Sequence, residues 1–360
     1  MKFGMLLSGG VDSSVAMALL KQEGHDIQAY YLKIWLEDEL SYLGNCPWEE
    51  DLQYAQATCK ALGIPLKVVS LQREYHERVV EYTIQELRKG FTPSPDIFCN
   101  ERIKFGVFLE RMGEEWDRVA SGHYAEIVRD EDICRLKEAP DPVKDQTYFL
   151  AHLHQNQLQR LYFPLKGRKK KEVRHLAHEF NLPTKDRKDS QGICFLGKIK
   201  YADFVKHHLG VKKGKIVEWE TGKVWGEHEG YWFYTIGQRK GIGLHGGPWY
   251  VVKKDVQENI VYISHQKYLD QRKSRTFQVG EFNWIEEIPQ SKPLELQVKV
   301  RHGPRKYKAR LSFLEEGSKG EVELLDDGDP GVAPGQFAVF YENGFCLGCA
   351  KILEKYVWGT

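Results

Sequence analysis

Short apolar runs alternate with amphipathic stretches through the first third of the chain. Residues 3–7 form a compact apolar run, suited to a strand buried on both faces. Residues 13–23 carry Val15, Ala16, Leu19 and Leu20 on one helical face, and Gly24 follows as a stop. Residues 27–35 and 66–71 predict two more strands, and 116–121 a further one. Helices are predicted between them over 51–62, closed by Gly63 and Pro65, and over 73–89, closed by Gly90. Strands alternating with helices predict parallel βαβ units in a doubly wound α/β sheet.

The pattern changes near residue 200. Beyond Gly210 come short β-like runs broken by turn signals at Gly214, Thr221-Gly222, Gly241 to Gly247 and Asp327-Gly328-Asp329-Pro330. Two small, mostly β modules are expected after the α/β part. The division is drawn at 1–205, 206–274 and 275–360, with the polar stretch Gln271-Arg272-Lys273-Ser274 as a linker. There is no internal repeat.

Length and composition fit this plan. A chain of 360 residues, 41% hydrophobic and 29% charged, is too long for one ordinary core. No apolar run approaches the roughly 20 residues needed to cross a bilayer. The opening runs straight into a strand, with no leader pattern, so a cytoplasmic protein without a membrane partner is expected. Net charge is +1, so any nucleic-acid face must come from local clusters. Two basic runs qualify: 166–171, and 299–310, where Lys299, Arg301, Arg305, Lys306, Lys308 and Arg310 occur with no acid and with Tyr307 interleaved. Each run alone also suits a plain solvated face. Seven cysteines, unevenly spaced, argue against a disulfide framework. Cys59 belongs on a helix, Cys134 on a strand, and Cys346 and Cys349 in a strand as partly buried thiols; Cys46 has no assignment. His152 with His154, and His207 with His208, are expected to be surface or core residues.

The candidate chemistry begins at the end of the first strand, with Ser8-Gly9-Gly10-Val11-Asp12-Ser13-Ser14. Ligands of open α/β sheets bind beyond the carboxyl ends of strands. Two glycines let the backbone approach an anion, and free amides at a helix start, with the Ser8, Ser13 and Ser14 hydroxyls, suit a pyrophosphate. Asp12 is placed to hold Mg²⁺ or to cap the helix. The loop lacks the Gly-Lys-Ser/Thr ending of a Walker A motif and the Gly-x-Gly-x-x-Gly spacing of a dinucleotide site. A second candidate region is Ser94-Pro95-Asp96-Ile97-Phe98-Cys99, ahead of a helix predicted over 101–112. Cys99 is expected near that helix N-terminus, where backbone charge favours thiolate. Asp96 is close enough to exchange protons with a thiol or a base. An incidental buried cysteine in a proline-rich turn is the competing reading. Cys194, in the glycine-flanked stretch 188–197, supplies the second thiol that persulfide chemistry requires.

Ser-Gly-Gly-Val-Asp-Ser resembles the PP-loop of the N-type ATP pyrophosphatases. The Asp96/Cys99 and Cys194 stretches are similar to those of the tRNA-specific 2-thiouridylases, the MnmA/TrmU family. Four further motifs of that family follow in order: Ser121-Gly122-His123-Tyr124-Ala125, Lys144-Asp145-Gln146-Thr147-Tyr148-Phe149, Tyr234-Thr235-Ile236-Gly237-Gln238-Arg239-Lys240-Gly241 and Pro334-Gly335-Gln336-Phe337. The resemblance implies a PP-loop α/β domain, a small central β domain and a C-terminal β-barrel. It implies ATP contacts at Leu6, Leu7, Ser8, Gly9, Gly10, Val11, Asp12, Ser13, Leu32 and Gly122, and target-base contacts at Ser94, Pro95 and Asp96. It implies tRNA contacts at His123, Lys144, Asp145, Gln146, Arg301, His302 and Gln336. Cys99 is implied as nucleophile, Cys194 as persulfide carrier, and the two as a transient disulfide, with Asp96 as acid or base. The implied activity is 2-thiolation of the tRNA wobble uridine with ATP and Mg²⁺, fed by an upstream persulfide carrier protein. Arg301-His302-Gly303-Pro304 departs from the family's usual Arg-Tyr-Arg. Three alternatives stay open: an amide-forming PP-loop synthetase, a tRNA-binding module with a relic nucleotide site, and an iron–sulfur cluster on Asp96, Cys99 and Cys194.

Overall fold

The computed structural model describes residues 1–34, 47–189, 200–288, 292–314 and 317–355. The first part contains strands β1 (Lys2–Leu6), β2 (Asp26–Lys33), β3 (Leu66–Ser70), β4 (Arg118–Ser121), β5 (Glu126–Asp130), β6 (Ile133–Lys137) and β7 (Leu161–Tyr162). Five of them form a parallel sheet in the order β3-β2-β1-β4-β7. Strand β1 is central because it feeds a core on each face. Phe3, Met5 and Leu7 enter one core with Val15, Leu19 and Leu20. Leu6 enters the other with Tyr30, Ile103, Phe108 and Val119. The longer helices are α1 (Val11–Gln22), α2 (Pro47–Leu62), α3 (72–88), α4 (95–112), α5 (Lys170–Glu179) and α6 (Tyr201–Leu209), with single helical turns at Thr147–Leu150 and Gln155–Leu158.

Helix α4 differs from its sequence expectation. It begins at Pro95, not near residue 101, because proline at the first helical position is pre-set for the helix. It widens to π-helical spacing over Cys99–Val107. Cys99 therefore ends the first turn, inside the helix, and is fully buried. The expected helix N-terminus lies at Ser94 and Pro95 instead.

The second part holds β8 (Gly214–Glu218), β9 (Val224–His228), β10 (Trp249–Asp255) and β11 (Ile260–His265), ordered β10-β11-β8-β9. The third holds β12 (Thr276–Trp284), β13 (Leu294–Lys299), β14 (Tyr307–Leu314), β15 (Lys319–Leu324), β16 (Phe337–Glu342) and β17 (Phe345–Lys355). These six run β12-β15-β14-β13-β16-β17, and β12 pairs with β17 to close a barrel. The stretch 271–274, expected to be a linker, is pinned to the barrel. Ser274 exchanges backbone hydrogen bonds with Asp329, and Lys273 pairs with Asp327 at 2.8 Å.

One connection lay beyond the sequence pattern. The hairpin β5–β6 leaves the first domain and joins the barrel wall, with Leu136 opposite Cys346 on β17. Cys346 and Cys349 consequently lie fully buried, not partly so, and burial raises both thiols. Among the described residues, no helix is long and apolar enough to cross a membrane.

Candidate active site

The order of the parallel strands reverses between β1 and β4, which is where α/β sheets bind ligands. The 8–14 loop leaves β1 there, and Gly122 leaves β4 beside it. A Cβ on Gly122 would stand 2.7 Å from the Ser13 backbone nitrogen, so only glycine lets the two loops meet. Gly9 has φ +76° and lies against the Asp51 carbonyl, a second position closed to other residues. The loop is internally braced. Ser13 Oγ accepts from Ser8 N at 3.2 Å and lies 3.1 Å from Ser8 Oγ. Ser13 Oγ and Ser14 Oγ both donate to the Gly10 carbonyl, at 3.2 and 2.8 Å, but Ser14 Oγ is buried beside Thr58 and faces away from any anion. Gly10 is the N-cap of α1, and no side chain caps that helix, Asp12 included. The amides of its first turn have no intrahelical acceptors. Leu6 is buried in one core and Leu7 and Val11 in the other, so only their backbones face the loop; Leu32 packs against the core that holds Leu6.

A charged rim surrounds this cradle. Asp12 Oδ1 accepts from Tyr124 Oη at 2.7 Å and from Lys170 Nζ at 2.7 Å. Lys170 also pairs with Asp189 at 2.8 Å, which pairs with Lys144 at 2.6 Å and with Arg174. Burial pushes the Asp189 carboxyl up, but hydrogen bonds from Lys144 and Lys170 outweigh it and hold the group well below the usual carboxylate range. Arg187 donates to the Gly9 carbonyl at 2.7 Å and pairs with Asp51. Arg174 and Arg187 carry no signal in the sequence, and Tyr124 stands there only as part of the 121–125 motif. Lys170 was visible only as one cation in the 166–171 run, yet it alone of that run turns into the cradle at 13% side-chain exposure.

Asp96 and Cys99 lie three residues apart on α4, a spacing that puts side chains on one helical face. Asp96 is half-buried and Cys99 buried. Two groups from the same helix stand nearby. Asn100 donates to the Phe149 carbonyl at 3.0 Å and accepts from Lys104 Nζ at 3.1 Å. His123 bonds Ser121 Oγ through Nδ1 at 2.8 Å and packs on Phe105 and Phe163. Burial, then the Lys104 charge, lowers His123 well below its ordinary value and keeps it neutral. The barrel clamps the loop ahead of α4. Gln336 Nε2 donates to the Pro93 and Thr92 carbonyls at 3.0 and 3.3 Å, and Thr92 N donates to the Pro334 carbonyl at 2.8 Å. Ser94 Oγ and Thr92 Oγ1 are buried there with no hydrogen-bond partner among the described residues. Cys194 and Cys46 lie outside the described residues.

Several residues expected to face tRNA turn inward. Lys144 reaches Asp189 and Gln146 Oε1 accepts from Tyr124 N at 2.9 Å. Asp145 is 2% exposed and bound to Lys299 at 2.8 Å and to Thr147. The basic stripe 299–310 is largely paired. Arg301 holds Asp329 at 2.9 Å, Lys306 holds Glu138 at 2.8 Å, and Arg310 holds Glu295 and Glu323. Acids from distant segments neutralise a run that contains none. His302 is exposed on one side and stacks on Phe149 at 4.4 Å on the other. Burial of that inner face lowers it, while Asp145 and Asp96 pull it up.

A glycine-rich cradle at the switch point of a parallel sheet defines an α/β nucleotide-binding domain, here of the HUP class. The family model described as "tRNA methyl transferase HUP domain" matches residues 1–198. Models described as its PRC-barrel domain and as an aminomethyltransferase β-barrel domain match 202–265 and 274–352. The chain belongs to the MnmA family of tRNA-specific 2-thiouridylases. It is 46% identical to tRNA-specific 2-thiouridylase MnmA 1 of Bacteroides thetaiotaomicron, over 98% of this chain and 99% of that one. It is 46% identical to MnmA 2 of a Bacteroides fragilis strain, over 98% and 100%. It is 44% identical to MnmA of Parabacteroides distasonis, over 99% of each chain.

Proposed function

We propose that this protein uses ATP to replace the C2 oxygen of the tRNA wobble uridine with sulfur. The reading is carried by the 8–14 cradle at the switch point, in a chain that matches 2-thiouridylases along its whole length. A methyl transfer, which the family-model description names, has no use for a pyrophosphate cradle.

The residues at the cradle fit a nucleotide triphosphate with Mg²⁺: first-turn amides, the Ser8 and Ser13 hydroxyls, and the Asp12 carboxylate. Mg²⁺ would neutralise charge on the departing pyrophosphate. Lys170 and Lys144 add cations at the rim, where that charge develops.

The uracil O2 attacks the α-phosphorus and pyrophosphate leaves, so a poor leaving group becomes AMP. The terminal sulfur of a Cys194 persulfide attacks C2, and AMP departs with the original oxygen. The base is then joined to Cys194 through a sulfur–sulfur bond. The Cys99 thiolate attacks Cys194 Sγ, the thiouridine is released, and a Cys99–Cys194 disulfide remains for an external dithiol to reduce. Asp96, one turn before Cys99, moves the proton. Flipping the base out is inexpensive in an anticodon loop, where bases are already single-stranded.

The test is mass spectrometry of wobble nucleosides after incubation with tRNA, ATP and a persulfide source. Sulfur should replace one oxygen, and both Cys99→Ser and Cys194→Ser should abolish the product. Thiolation that persists in Cys194→Ser would overturn the persulfide route. Amide formation with ammonia, needing neither cysteine, would overturn the assignment itself.

A further inference from the structure

Outside the cradle, among the described residues, one cluster of metal-ligating side chains stands unused by the mechanism. Glu101, His152 and His154 bring a carboxylate oxygen and two imidazole nitrogens to within 4.8 Å of one another. The sequence offered only the two histidines; helix α4 supplies the carboxylate. Nδ1 of His152 is buried, meets no hydrogen-bond partner among the described residues, and stands 4.0 Å from Glu101 Oε2. We propose that Glu101, His152 and His154 form a binding site for one divalent transition-metal ion of the zinc class.

The donor set decides the class. Two imidazoles and one carboxylate suit zinc-like ions, whereas Mg²⁺ prefers near-octahedral oxygen ligands. Bonds of roughly 2.0–2.2 Å in a tetrahedral site set ligand atoms about 3.4 Å apart, so the cluster needs closure by about an ångström. Side-chain rotation of the two outer partners can supply it. His154 is exposed, and Glu101 sits at the rim of the helix. His152 is the fixed member, with its ring packed edge-on against Phe98 and Phe337 at 5.2 and 5.7 Å. Arg102 pairs with Glu101 at 3.2 Å and is the competitor for this carboxylate. It has other anchors, the Arg78 carbonyl at 2.9 Å and the face of Phe98 at 3.8 Å, and keeps its place without Glu101. Three protein ligands leave a fourth position open. The ion would tie α4, two residues past Cys99, to the segment that follows Phe149.

Co²⁺ is the probe, because its visible absorption reports nitrogen and oxygen ligation and its near-ultraviolet band reports thiolate. Titration of the full chain in excess Mg²⁺ should show one saturable Co²⁺ per chain with no thiolate band. Glu101→Gln and His154→Ala should each weaken binding at least tenfold, with melting temperatures in metal-free buffer unchanged for His154→Ala. Zn²⁺ should raise the melting temperature of the wild type and not of His154→Ala. Absence of saturable binding, a thiolate band at saturation, or wild-type affinity in either variant would overturn the proposal.

Discussion

Single side chains at the cradle carry distinct electrostatic work. Lys170 Nζ holds Asp12 and Asp189 together at 2.7 and 2.8 Å. A bound triphosphate offers that ammonium a stronger anion than either carboxylate. Lys170→Met should therefore weaken ATP binding about tenfold, a loss of ~1.4 kcal/mol. Equilibrium ATP titration checks this, and a change below twofold would make Lys170 a loop tie only. His123 gives a pH signature. Its folded-state value lies below its unfolded value, so the unfolded chain binds the extra proton first as pH falls. Stability should be complete above the ordinary histidine value of about 6.5 and decline below it, by up to ~1.4 kcal/mol per pH unit from this group. Denaturant titrations from pH 7 to pH 5 should show that slope reduced in His123→Asn; an unchanged slope would sink the argument.

At the scale of elements, the cradle was legible because its chemistry is local. Strand β1, the Gly9-Gly10 turn and helix α1 are consecutive, so periodicity and turn residues determine them together. What contacts the cradle was not legible. Gly122 comes from β4, Arg187 from beyond α5, and their proximity exists only once the sheet is ordered. The start of α4 differs from the predicted 101 for a different reason: proline signals a turn in sequence, whereas Pro95 at the first helical position opens the helix. The Gly122 contact can be tested against Gly10. A Cβ at Gly122 meets backbone atoms of Ser13 at 2.7 and 2.8 Å, whereas one at Gly10 meets only Ser8 Oγ at 3.4 Å. Gly122→Ala should cost about 1–3 kcal/mol and impair ATP binding. Gly10→Ala, at an ordinary φ of −86°, should cost about 1 kcal/mol or less. Equal effects in thermal unfolding would show that the close approach does not govern the loop.

Across the whole molecule, the barrel is a wall of the site and not a separate appendage. The β5–β6 hairpin extends its sheet, Gln336 grips the loop carrying Ser94, and Tyr148 Oη donates to the Phe337 carbonyl at 3.1 Å. Sequence alone could not reveal these joints, because each pairs residues far apart in the chain whose types are ordinary. Asp145 and Lys299 are the clearest case. The family resemblance implies a tRNA contact at Asp145 and the basic run includes Lys299, yet they are 2% and 3% exposed and meet at 2.8 Å. Asp145 belongs to the segment beside Lys144, which reaches the cradle rim; Lys299 ends β13 of the barrel. Breaking such a pair leaves a buried charge without its counterion. Lys299→Met should destabilise the protein by about 3–5 kcal/mol, and Asp145→Asn in the same chain should restore part of that loss, because no lone charge then remains. Chemical denaturation of the single and double variants measures both terms. If the double variant regains stability but thiolates tRNA more slowly than the wild type at saturating ATP, the pair serves alignment of the barrel with the cradle beyond its contribution to folding. A single-variant cost under ~1 kcal/mol would mean that the hydrogen bonds from Thr147 Oγ1 and Ala139 N already satisfy Asp145 without its counterion.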